Sequence, residues 1–195
     1  MSNKPETVPG IDSFAYYIAN ALQFISVGAF INKSYESNAN KRMIAIDIYV
    51  VLKCAIAAIL LFTGLGMTDN LWQKIILAAI AIYGVVETLV ALFIKIFYPK
   101  PAGKISYRRA SLLLLINWLE IILWFAILYL VSSSVDFGQV SPQMFDYFYF
   151  SFLRGATMDM DNASVQGIGR IISMMQVTAF VIFITLFFSH NFGKL

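Results

Sequence analysis

The chain has 195 residues, 59% of them hydrophobic and 13% charged, with a formal net charge of +3 and a mean hydropathy of +0.75. That apolar share lies far above an ordinary water-soluble domain and excludes a soluble catalytic domain as the main body of the molecule. Basic residues sit beside apolar segments rather than interleaved with aromatics, which points to membrane topology signals and away from nucleic acid.

In chain order, the opening "MSNKPETVPGID" is polar and lacks the basic-then-apolar pattern of a removable signal peptide, so the first residues are expected to be retained. "FAYYIANALQFISVGAFI", Phe14 to Ile31, is uncharged and about 18 residues long. It reads as an interfacial helix on the cytoplasmic leaflet, with a fifth span as the alternative. Residues 1–42 therefore form a cytoplasmic N-terminal segment. Long apolar stretches follow at Met43 to Gly66, Leu71 to Tyr98 and Ala110 to Val135, each exceeding the ~20 residues a helix needs to cross the hydrocarbon core. A fourth runs from Ile168 to Ser189. "KIFYPKPAGKISYRR" carries Lys95, Lys100, Lys104, Arg108 and Arg109 with no acid, which the positive-inside rule assigns to the cytoplasm. Both termini then fall inside, and Ser132 to Gly167 falls outside. The expected fold class is an all-α membrane protein of four transmembrane helices, a re-entrant helix and the N-terminal interfacial helix. Residues 43–109 form two peripheral spans with the basic loop, and residues 110–195 form a second unit.

Three ionisable residues lie within spans: Lys53, Glu87 and Glu120. Each costs ~2.5–3.5 kcal/mol on insertion scales and needs a partner or water. Counted from the cytoplasmic ends, all three lie roughly 10 or 11 residues in, a depth of ~15 Å, so Lys53 is expected to pair with Glu87 or Glu120. Asp47 and Lys95 also match in depth. Residues 47 and 53 are about 240° apart around a helix, however, and residues 87 and 95 about 80°, so both pairs do not fit one seam. An ion pair that fixes packing is the simpler reading of the buried charges, and a proton or ion relay the sharper one. Cys54 reads as a packing residue and His190 as part of a solvated tail. No paired histidines, nucleophile elbow or phosphate-binding glycine loop occurs, so no enzyme and no cofactor is expected.

Between the third and fourth stretches lies "SPQMFDYFYFSFLRGATMDMDNASVQGIGR", too short for another full crossing and return, yet apolar at its start. A re-entrant helix fits, with Ser141 as cap, Pro142 in the first position and Gly155 at its end. Non-helical backbone at membrane depth is tolerated only inside protein or beside a water-filled cavity, so the polar stretch that follows reads as a pore region. Asp159 and Asp161 can alternatively cap a loop through backbone amides. Asn162-Ala163-Ser164 matches a glycosylation acceptor, a weak pattern that is set aside.

"FDYFYFSF", a threonine with a short polar stretch, and "GIGRIISMMQV" resemble the two-helix pore module of the potassium-channel superfamily over residues 110–190. The resemblance implies an outer helix, a pore helix, a filter and an inner helix, repeated in a homotetramer. Against the family's filter, Thr-Val-Gly-Tyr-Gly-Asp, this chain reads Thr157, Met158, Asp159, Met160, Asp161 and Asn162, with aspartates at both glycine positions. Those glycines permit backbone conformations that L-residues enter at a cost, so strict potassium selectivity does not carry over. Rings of Asp159 and Asp161 would instead hold monovalent or divalent permeant cations. Arg154, three residues before Thr157, is a cation placed to modulate that ring. Phe180 stands where the family often has a hinge glycine. The expected function is a tetrameric cation channel of the plasma membrane, non-selective or divalent-permeable. The alternative is a non-conducting membrane scaffold or accessory protein that keeps the channel fold with a degenerate filter.

Overall fold

The computed structural model describes residues 27–35, 38–97, 107–138 and 141–192. Most of the expected interfacial helix, Phe14 to Ile31, lies outside the described residues, as do Lys100, Lys104 and the side chains of Lys95 and His190. The described chain is almost entirely helical. Helix α1 covers Val27–Ser34, α2 Ala39–Phe62, α3 Leu71–Phe97, α4 Tyr107–Ser132, α5 Met144–Gly155 and α6 Gly169–Phe192. A single 3-10 turn, Leu65–Met67, joins α2 to α3. Two-residue strands β1 (Val135–Asp136) and β2 (Ser164–Val165) pair antiparallel, Val135 opposite Val165 and Asp136 opposite Ser164.

Long runs of Leu, Ile, Val and Ala without an interior proline make α2, α3 and α4 helical, and each is long enough to cross a bilayer. The apolar portions are Asn40–Phe62, Leu71–Phe93 and Arg108–Ser132, with mean hydropathies of 2.4, 2.4 and 2.2. Such helices define a multi-pass α-helical membrane protein. Burial separates their roles. Across an 18-residue apolar stretch of each, 11% of the residues in α2, 39% in α3 and 56% in α4 are buried, so α4 is the axis around which the others pack. Every residue from Glu120 to Val131 is buried, whereas Ile44, Ile48, Val51, Leu52, Ile56 and Ile59 of α2 are exposed. An outward face that apolar is stable in lipid and not in water.

Close approach of α3 to α4 depends on Gly84. A Cβ there would run into the Trp124 indole, which packs directly over it. Gly84→Ala is therefore expected to destabilise by about 1–3 kcal/mol, the usual penalty of overpacking, read as a lower thermal unfolding midpoint in detergent.

Helix α5 begins two residues later than Ser141 and Pro142 suggest. Gln143 is its N-cap, and the Asp146 carboxylate accepts the Gln143 backbone N–H at 2.7 Å, so the acid in the first turn fixes the start. The Met144 methyl lies against Gly64, beside the end of α2, while Gly155 at the other end lies against Ile122 and Gln176. Ile122 is roughly ten residues, or ~15 Å, before the end of α4, and Gln176 is roughly seven residues, or ~10 Å, into α6. Helix α5 thus starts level with one end of α4 and stops midway along it. The chain then returns to its starting level, where β2 pairs with β1 and Gln166 N donates to Ser134 O at 2.9 Å.

Candidate functional site

Two polar regions interrupt the apolar body. The first lies among α2, α3 and α4. Lys53 Nζ stands 3.1 Å from Glu87 Oε2, 3.1 Å from Glu120 Oε1 and 2.8 Å from Thr88 Oγ1, so all three ammonium protons are directed at protein acceptors. The depth match in the sequence anticipated either glutamate as partner; the structure joins both to one lysine. Glu87 also accepts from Tyr49 OH at 2.6 and 2.7 Å and from the backbone N–H groups of Val27 and Gly28 at 3.0 and 3.4 Å. Those two amides belong to the first turn of α1, where the helix dipole suits a carboxylate. Glu120 is placed differently. Its Oε1 accepts from Trp124 Nε1 at 2.8 Å and stands 2.8 Å from Thr88 Oγ1, which also donates to the Gly84 carbonyl, while Oε2 has no partner among the described residues.

Asp47, which matches Lys95 in depth, has Arg109 as its partner among the described residues, and the Lys95 side chain lies outside them. Arg109 binds it through two nitrogens, Nε to Oδ2 at 2.8 Å and Nη2 to Oδ1 at 2.7 Å, and also donates to the Met43 carbonyl. Both residues lie near the starts of parallel helices, and a long guanidinium stem covers the offset between them.

The second region is the turn after α5. Ser151 Oγ donates to the Ile122 carbonyl at 2.7 Å, Gln176 Nε2 donates to the Ser151 carbonyl at 2.7 Å, and Tyr129 OH donates to Gln176 Oε1 at 2.9 Å. This buried bridge ties α4, α5 and α6 together at the level where α5 stops. Sequence reasoning passed over it, although Gln176 is the one carboxamide in an apolar run and needs a buried partner.

Helix α5 ends in two wrapped hydrogen bonds, Met158 N to Leu153 O at 2.8 Å and Thr157 N to Arg154 O at 3.0 Å. In that closure the residue at the position of Thr157 adopts left-handed backbone and is usually glycine, yet here it is a β-branched threonine at φ 58°. Thr157→Gly should relieve about 1 kcal/mol and raise the unfolding midpoint; a midpoint that falls would show the strain is absent.

Of the residues expected to form a filter, Thr157, Met158, Asp159, Asp161 and Asn162 are exposed on the single chain, and Met160 is partly buried against the core. Arg154 Nη1 binds Asp159 Oδ1 at 2.7 Å, and the guanidinium stands 5.5 Å from the Phe150 ring. The Asp159 side chain remains 76% exposed, so the pair sits at the surface with its carboxylate outward. Asp161 has no hydrogen bond or ion pair among the described residues. Nor do three His, Cys, Asp or Glu side chains converge in one chain there as a metal site.

The fold and these two regions define an α-helical, multi-pass membrane protein with a short helix that stops halfway along its neighbours. The chain matches no protein-family model, no curated protein and no solved structure.

Proposed function

We propose that the chain is one subunit of a homotetrameric cation channel of the cell membrane, with α2, α3, α4 and α6 as spans and both termini cytoplasmic. In this reading α4 is the outer helix, α5 the re-entrant pore helix, Thr157 to Asn162 the filter and α6 the inner helix, as the resemblance to the potassium-channel pore module implies. One observation carries it: α5 stops at Ile122 and Gln176, midway along α4, and hands over to irregular backbone bearing exposed Asp159 and Asp161. Irregular backbone and carboxylates at that depth need a water-filled cavity or surrounding protein, and four such loops around one axis supply both. The apolar residues Ile171, Met174, Met175, Val181 and Ile182 on the outward side of α6 suit packing between copies. Aspartate rings favour monovalent or divalent cations without the stacked carbonyls of a strict potassium filter.

Planar-bilayer recording of the purified full chain tests this directly. Cation current is the expected result, and silence from well-reconstituted oligomers counts against a pore. A non-conducting scaffold that retains the fold is favoured by the Arg154–Asp159 pair, which neutralises one of the two carboxylates. Silence in that recording, with a membrane partner retained through gentle detergent extraction, would support the scaffold.

A further inference from the structure

The geometry points to Glu120 as an intramembrane proton-binding site, carrying its proton on Oε2 while Glu87 carries the negative charge that Lys53 balances. This assignment rests on the helix packing and not on whether the protein conducts.

The cluster holds one lysine and two carboxylates. Glu87 is 4% exposed and Glu120 fully buried at 0%. With both acids ionised, one negative charge would remain uncompensated in the middle of three apolar helices, which is the costliest arrangement of such groups. The donors are divided unequally. Glu87 receives Lys53, Tyr49 and two backbone amides, with both of its oxygens engaged. At Glu120 the Lys53, Trp124 and Thr88 contacts converge on Oε1, leaving Oε2 buried and without a partner among the described residues. An unpaired hydroxyl in that place costs much less than an unpaired charge, so the proton belongs on Oε2. Two nearby carboxyls whose surroundings differ in this way divide into a permanent anion and a proton carrier.

The other groups around the site agree. From α2 it is faced by Tyr49, Lys53 and Cys54, and from α3 by Glu87, with Tyr83 beside Glu87. Lys53 is the one cation among them. Helix α5 packs on another side of α4, through Ile122, and its Arg154 is committed to Asp159 and Phe150.

Infrared spectroscopy of the full chain in lipid nanodiscs at neutral pH tests the assignment. Wild type should show the C=O stretch of a protonated carboxylic acid, shifting on exchange into heavy water. Glu120→Gln should fold and lose that band, because the amide copies the neutral acid in shape and charge. The double variant Asp159→Asn with Asp161→Asn should keep it. Absence of the band from wild type, its persistence in Glu120→Gln or its loss in the double aspartate variant would overturn the proposal. So would failure of Glu120→Gln to fold, since a neutral residue is what the site is argued to hold. None of these readouts uses current, so a silent bilayer leaves the assignment intact.

Discussion

Lys53→Met is expected to lose about 3–5 kcal/mol of stability, the largest effect of any single substitution in the peripheral helices. Methionine preserves much of the stem's volume, so the change isolates the charge from the packing. With the ammonium gone, Glu87 keeps Tyr49 and the α1 amides as donors but no longer has a counter-charge, and Thr88 loses a donor. In thermal unfolding of detergent-solubilised protein the midpoint should fall by roughly 10 °C. Adding Glu87→Gln should recover much of the loss, because the residual cluster then carries no unpaired charge. An unchanged midpoint in Lys53→Met would mean that water reaches the cluster and solvates it.

Asp161→Asn is expected to change conduction more than any other single substitution in the filter-like loop. Arg154 pairs with Asp159 at 2.7 Å, so in the proposed pore Asp161 would supply the uncompensated negative charge of each subunit. At an effective dielectric of 20, a cation ~6 Å from a carboxylate is attracted by roughly 3 kcal/mol. Losing ~1.4 kcal/mol of that attraction lowers cation occupancy about tenfold, and a conductance drop of that order is the expected result in single-channel recordings. Arg154→Gln acts in the opposite direction. It leaves two unscreened carboxylates per subunit, which should bind divalent cations tightly enough to block monovalent current. Equal currents in wild type and Asp161→Asn would place that residue away from the ion path.

Long apolar runs and in-span charges were readable in the sequence because each has a one-dimensional signature. A length of twenty apolar residues needs no tertiary information, and counting rise per residue placed Lys53, Glu87 and Glu120 at one depth. Depth fixes height but not azimuth, so counting along the chain does not single out Arg109, which holds Asp47 in the fold. The start of α5 was misplaced for a related reason. Ser141 and Pro142 are good starting residues by type, but the Asp146 carboxylate bound to the Gln143 amide decides the position. The Gln176–Ser151–Ile122 bridge was not legible as a pairing, since it joins three separated segments through backbone carbonyls that have no sequence signature. The left-handed backbone of Thr157 ran against propensity altogether and became apparent only from the closure of α5. Asp159 and Asp161 stood out by composition from the start, and the fold adds that Arg154 engages the first and leaves the second free of partners among the described residues.

In the proposed channel these loops meet around a common axis and line a cation path. A structure of the full chain assembled in lipid nanodiscs tests it most directly. The expected result is four copies related by a fourfold axis, with α5 pointing inward and the Asp159 and Asp161 side chains of all four subunits converging on an open axial path. A monomer or dimer, or an assembly whose 157–162 loops face lipid or the outer solution away from the axis, would contradict it.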